Sequence, residues 1–257
     1  MEQAGAASLE RERDYYEELY SGFAQQHFAR RGVVAFREHL VRRIVSVTGA
    51  NKASRVLSVG SGTGDTELLL APRVGSITGI DISPRGVEHA LKAAAAGGVK
   101  NASFLLADLE GAPFERGSFD VIMAVFFLHH LPDQVEESLP RRLHELLKPG
   151  GVLYALDPSR YRLSGALGKL LFPSLMRKYQ TPGEQPLQPS ATWRAFERAG
   201  FEVRGSYYDF ASTPLAGLLP GWRTGYVCAR VLDEVLVRLP VVKRFSSNFE
   251  IVARKSS

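Results

Sequence analysis

Cysteine is almost missing from this chain: Cys228 stands alone among 257 residues. A single thiol excludes an internal disulfide framework and a cysteine-based zinc site. The six histidines are scattered without a ligand-like repeat, so no metal is expected. No apolar run approaches the ~18 residues a membrane span needs. The polar start, MEQAGAASLERERDYYEELY, has no signal-peptide core. The expected compartment is therefore the cytoplasm. Internal repeats, low-complexity tracts and a clear interdomain linker are missing too, so residues 1–257 are expected to form one domain. The net charge of +5, with a pI near 9.4, is spread over pairs such as Arg30–Arg31, Arg42–Arg43, Arg141–Arg142 and Lys243–Arg244. No dense basic stripe interleaved with aromatics results. That speaks against a nucleic-acid partner and for a solvated surface.

What is present reads as an α/β protein. Hydrophobic residues make up 45% and charged residues 23%, ordinary for a soluble globular chain. From Ser8 to Thr48 the pattern is helical, with Tyr15, Leu19 and Phe23 on a first helix and Val34, His39, Val41 and Ile44 on a second. Short, mostly unalternating apolar runs follow at 56–59, 76–80, 103–106, 119–127 and 152–156. Strands buried on both faces of a parallel sheet look like this. Helical stretches at 84–95 and 133–147 lie between them, and the second stops at Lys148-Pro149-Gly150-Gly151. The alternation predicts a doubly wound sheet with right-handed crossovers. Past Pro158, helical pieces are broken by Pro173, Pro182, Pro186 and Pro189. Strands at 201–210 and 247–255, with a helical stretch at 213–238 between them, are expected to close the sheet.

The chemistry concentrates at strand ends. RVLSVGSGTGDTELL (55–69) is a buried strand, a turn with Gly60, Gly62 and Gly64 at alternate positions, and a helix. A dinucleotide turn would need glycine where Asp65 stands, and a carboxylate there repels a pyrophosphate. The turn suits a ligand without phosphates. Asp81 ends the next strand, where a carboxylate can accept both hydroxyls of a ribose. Ser83 before Pro84 is well placed to cap the following helix, which leaves Asp81 for a ligand. Asp108 ends the third strand, beside apolar Leu109. It suits an adenine amino group, or equally an Asx turn.

VLSVGSGTG, GIDIS, LLADLEGAPFERGSFDVIMAVFFLHHL and LLKPGGVLYALDP, in that order over about residues 50–160, resemble the successive motifs of class I S-adenosylmethionine-dependent methyltransferases. The resemblance implies a Rossmann-like sheet of seven strands, mostly parallel, whose last strand is antiparallel. It implies N-terminal lid helices in 1–50, a cofactor-binding core in 51–160 and an acceptor-binding region in 161–257. It places Gly60, Ser61 and Gly62 against the methionine part of the cofactor, Asp81 and Ile82 on the ribose, and Asp108 and Leu109 on the adenine. The backbone around Ala124 and Val125 would receive the cofactor's amino group, with His130 nearby. One position departs from the family, which usually has an acid two residues before the first glycine, where this chain has Ser58. Glu67 is a candidate replacement, although an exposed helix glutamate is the plainer reading.

A sulfonium is already an activated methyl donor, so the protein must mainly align the acceptor and exclude water. His129 and His130 close the fourth strand and are the candidate bases; each is also read as a packing or cofactor-contacting residue. Tyr15, Tyr16 and Tyr20 are candidates for a lid. The stretch 214–245 is rich in Leu and Val, carries Trp222 and Tyr226, and is punctuated by Arg223, Arg230, Arg238, Lys243 and Arg244. It reads as the wall of an apolar acceptor pocket, together with 160–180, or as a helix making peripheral contact with a lipid surface. At their spacing Val231, Leu232, Val235 and Leu236 are expected to pack on the sheet. The expected activity is methyl transfer to a small aromatic or lipid-like acceptor. A non-catalytic cofactor-binding protein and an RNA or protein methyltransferase are the alternatives.

Overall fold

Alternate residues of the central strands enter two different cores. In the computed structural model, Leu57, Ile122, Leu153 and Ala155 pack in one cluster, while Val56, Val121, Met123, Tyr154 and Leu156 pack in another. Successive side chains of a strand point to opposite faces, so both faces of this sheet are covered. That is why the strands read as continuous apolar runs rather than as alternation. The structure describes residues 13–14, 16–18, 20, 27–136, 138–171 and 185–256. Tyr15, Leu19, Phe23, Pro173 and Pro182 lie outside them.

Helix α1 (Arg31–Thr48) leads into β1 (Arg55–Val59), α2 (Asp65–Leu70), β2 (Ser76–Asp81), α3 (Pro84–Ala96), β3 (Ala102–Leu106) and β4 (Phe119–Val125). Then come α4 (Pro132–Glu136), α5 (Leu139–Leu146), β5 (Leu147–Pro158), α6 (Leu163–Leu171), α7 (Pro189–Arg198) and β6 (Phe201–Asp209). Helices α8 (Ser212–Leu218) and α9 (Arg223–Leu236) precede β7 (Asn248–Lys255). The seven strands are ordered β3-β2-β1-β4-β5-β7-β6. β1 through β5 pair in parallel, and β7 runs antiparallel to both β5 and β6.

The ends of the elements follow local chemistry. Gly49 stops α1 in the left-handed conformation, φ 74°, with its N–H on the Val45 carbonyl. Ser83 caps α3 as expected, accepting from Gly86 N–H, with Pro84 in the first turn. Two expected helices are each divided. The stretch 133–147 breaks into α4 and α5 ahead of Pro140, and 213–238 breaks into α8 and α9 around Pro220-Gly221. The break lets α8 and α9 fold against each other. Asp233 on α9, fully buried, accepts from the N–H groups of Phe210, Ala211 and Ser212 at 3.0, 3.1 and 2.8 Å. A carboxylate at a helix N-terminus meets both the orphan donors and the positive end of the dipole.

Replacing Asp233 with Ala strands those donors in a buried site. The expected result is a loss of about 3 kcal/mol or more of stability, read by urea unfolding.

Candidate active site

A cleft of about 420 Å³ opens at the carboxyl ends of β1, β2, β3 and β4. This is where open α/β sheets bind ligands, near the point at which strand order reverses. Its floor is the glycine turn after β1. Gly60, Gly62 and Gly64 all have positive φ, at 70°, 51° and 75°. A Cβ on Gly60 would lie 2.6 Å from the Phe127 ring, and one on Gly62 would lie 2.6 Å from the Tyr20 hydroxyl. The turn therefore requires glycine for conformation and for space.

Asp81 does more than wait for a ligand. Its Oδ2 accepts from Gly62 N–H at 2.7 Å and its Oδ1 from Ser83 N–H at 2.9 Å. The expectation that Ser83 leaves Asp81 free is corrected in this respect. The carboxylate ties the glycine turn to the start of α3 while lining the cleft. Asp108 also lines the cleft, and its Oδ1 accepts from Gly111 N–H three residues on, so a loop hydrogen bond other than the Asx turn coexists with the cleft position. Ile82 and Leu109 line the same wall. Val125 reaches the cleft, whereas Ala124 is fully buried in the sheet. Phe126 follows with φ 53°, a left-handed conformation that costs a non-glycine residue roughly 1–3 kcal/mol. It is held there by its N–H on the Leu156 carbonyl and by its ring against Phe36.

Asp65 begins α2 and lines the cleft, but its charge is shared with Arg37 at 2.7 Å. The larger surprise is Glu67. The reading of an exposed helix glutamate fails: Glu67 is 3% exposed, lines the cleft, and accepts from Ser58 Oγ at 2.6 Å. Burial raises its carboxyl to about 7, with the Ser58 hydrogen bond pulling the other way. An acid on the helix and a hydroxyl on the strand thus form one hydrogen-bonded unit on the cleft lining.

The two histidines sit on a 3₁₀ turn at Leu128–His130 with ring centroids 4.0 Å apart, yet they take different partners. His129 is buried outside the cleft lining, its Nδ1 2.7 Å from Asp157 Oδ1, which also accepts His129 N–H. Burial pushes the Asp157 carboxyl up to about 8. His130 lines the cleft and shares a hydrogen bond of 2.8 Å between its Nε2 and the Tyr16 hydroxyl. Tyr16 stacks on Tyr20, which is buried over the glycine turn. Glu17 between them accepts from Ser83 Oγ and Arg85 N–H. The described part of the N-terminal segment is thus fastened across the cleft.

The remaining walls are Phe28, Val33, Phe36, Phe126, Leu131 and Ala216. Leu218, Leu219, Trp222 and Tyr226 are not among them, nor are the described residues of 160–180. Of the expected wall 214–245, Ala216 and Gly217 line the cleft, with Thr213 beside them on α8, and Val33, Phe36 and Arg37 come from α1.

A family profile described as "Methyltransferase domain" matches residues 56–151. A demethylmenaquinone methyltransferase of Staphylococcus epidermidis is 29% identical over 147 residues, covering 55% of this chain and 59% of that protein. One from Staphylococcus aureus is 26% identical over 209 residues, covering 71% of this chain and 83% of the relative. Among solved structures, the cyclopropane synthase MmaA2 of Mycobacterium tuberculosis superposes with a TM-score of 0.61 at 18% identity, over 84% of this chain and 83% of its own. Residues 56–151 are thus similar to a methyltransferase domain, and the fold resembles that of the class I S-adenosylmethionine-dependent methyltransferases.

The cleft's chemistry fits that family's cofactor. Asp65, Glu67, Asp81, Asp108 and Glu110 line the cleft, against Arg37, paired with Asp65, and Arg142, 3.8 Å from Glu145. Such an excess of acceptors favours a cationic, hydroxyl-bearing ligand and disfavours a phosphate. Sequence reasoning missed the burial of Glu67. Its signal was Ser58 itself, a small hydroxyl where an acid was expected.

Glu67 gives a pH signature. A carboxyl whose pKa is raised on folding stabilises the protein fully below its ordinary value of 4.5. That contribution is lost as pH climbs through about 7. Glu67→Gln removes this group from the titration. Between pH 4.5 and 7 the wild type is expected to lose on the order of 3 kcal/mol more stability than the variant. Urea unfolding of both proteins across that range checks it.

Proposed function

We propose that this chain transfers a methyl group from S-adenosylmethionine to a small, apolar, quinone-like acceptor. The observation that carries the reading is the division of one cleft into two chemistries. Carboxyl groups cluster at the strand ends, and an aromatic and aliphatic wall built from Phe28, Val33, Phe36 and Phe126 stands beside them. The names of the staphylococcal relatives point to the same acceptor class. The chain's match spans about three-fifths of the first of those relatives.

The cofactor supplies an activated methyl group on its sulfonium. In this reading Asp81 holds the ribose hydroxyls while also fixing the glycine turn, and Asp108 with Leu109 receives the adenine. Gly60, Ser61 and Gly62 lie along the methionine part, with Ile82 and the Val125 backbone completing the cradle. Glu67 would receive the ammonium, a cation that favours its carboxylate form. Tyr16 and Tyr20 keep water out above the site. His130 and Tyr16 take up the proton an acceptor loses, at His130 Nε2 or through the Tyr16 hydroxyl. His129, held by Asp157, positions its neighbour rather than touching the acceptor.

Asp81→Ala should weaken S-adenosylhomocysteine binding by ~1.5–3 kcal/mol, the range for hydrogen bonds to charged groups. Calorimetric titration measures this, and an unchanged affinity in a folded variant would remove Asp81 from the site. For the reaction, transfer from labelled cofactor is followed across quinone-like, phenolic, lipid and RNA acceptors. Quinone-like or phenolic compounds are expected to be methylated, and transfer to RNA alone would overturn the reading. With a working acceptor, His130→Ala is expected to lower kcat by ~10²–10⁴-fold while leaving S-adenosylhomocysteine affinity near wild type.

A further inference from the structure

Helix α9 faces the wrong way for a helix in water. Its buried side carries Gly225, Tyr226 and Asp233. The opposite side carries Val231, Leu232 and Val235, which are 63%, 53% and 55% exposed. These are residues expected from their spacing to pack on the sheet, and the structure turns them outward instead. The Asp233 cap on α8 explains why: the helix spends its inner face on holding the N-terminus of its neighbour. Trp222 before the helix is 55% exposed, and Val241 after it is 71% exposed. An apolar surface running through a whole segment marks an interaction site rather than the scatter of single exposed residues found on any protein.

We propose that the surface of residues 218–245 docks this protein on an anionic phospholipid bilayer. Charge selects the occupant. The segment 214–245 holds Arg223, Arg230, Arg238, Lys243 and Arg244 against Asp233 and Glu234, and Asp233 is fully buried. Arg238 and Arg244 are exposed beside the apolar residues. Apolar side chains at the acyl boundary with cations at headgroup level are the arrangement of an interfacial helix on anionic lipid. A second copy of the chain suits the face less well. In a two-fold contact the same cations would meet each other and be desolvated together. No helix among the described residues is long and apolar enough to cross a membrane, so the contact lies at the surface.

Helix α8 makes the docking useful to the site. Thr213, Ala216 and Gly217 wall the cleft, and the next residues, Leu218 and Leu219, are half exposed on the docking face. The same helix therefore borders both surfaces. Docking holds for any acceptor and does not depend on the quinone reading.

The test is co-sedimentation of the full chain with vesicles of phosphatidylcholine, with and without phosphatidylglycerol. Binding is expected to the mixed vesicles, weak to phosphatidylcholine alone, and reduced by salt. The double variant Val231→Glu/Val235→Glu should lower partitioning at least about tenfold, since it removes apolar contact and adds like charge. Arg238→Glu/Arg244→Glu should abolish the preference for phosphatidylglycerol. None of these residues lines the cleft, so circular dichroism and S-adenosylhomocysteine titration should match wild type. Equal pelleting of wild type and the valine variant would overturn the proposal, as would no pelleting at all. A wild-type dimer in sedimentation velocity that the valine variant dissolves would assign the face to self-association instead.

Discussion

One carboxylate joins the parts of this site that no strand pairing could join. Asp81 accepts from Gly62 in the turn after β1 and from Ser83 at the start of α3. Two adjacent strand ends, a left-handed turn and a helix N-terminus are fixed by a single side chain. Glu17 then reaches the same corner, accepting from Ser83 Oγ and Arg85 N–H, so the N-terminal segment is anchored to it as well. This corner sets one side of the cleft. The sheet beneath is rigid, but strands alone leave the backbone beyond their ends undetermined.

The pairing of Ser58 with Glu67 illustrates how a charge can be moved without being lost. The strand contributes a hydroxyl, the helix contributes the acid, and a 2.6 Å hydrogen bond keeps them as one unit. Burial raises that acid to about 7, because a buried carboxylate charge is costly. Asp157 reaches a similar compromise beside His129, where burial again raises the carboxyl. In both, burial favours the neutral carboxyl over the charged one.

The core of the fold was legible because its signals are local. Apolar runs such as 56–59, followed by glycine at alternate positions, leave few alternatives to a strand and a tight turn. Ser83-Pro84 announced a helix start with equal clarity. What stayed hidden was direction. Periodicity says that Val231, Leu232 and Val235 share a face, but it cannot say whether that face looks at the sheet or at solvent. Glu67 lies on a helix of six residues, too short for a pattern to separate inside from outside. His129 and His130 are neighbours in sequence, and a 3₁₀ turn decides which one meets the cleft. Pro220-Gly221 did carry the signal that divides α8 from α9, and the prolonged apolar pattern outweighed it.

The place of β7 has a consequence for how the chain comes into being. It lies between β5 and β6, so β6 has no partner in the sheet until residues 248–255 are available. During synthesis the ribosome must release these residues before the last two strands can zip together. Until then Phe201 and Tyr208, buried in the finished protein, are exposed on an unpaired strand. The half of the sheet that holds the cofactor cleft closes from local βαβ units. The half beyond β5 waits for contacts distant in sequence, and such closures are the slow ones. β7 is therefore a structural keystone, and deleting it would remove an inner strand instead of shortening an edge.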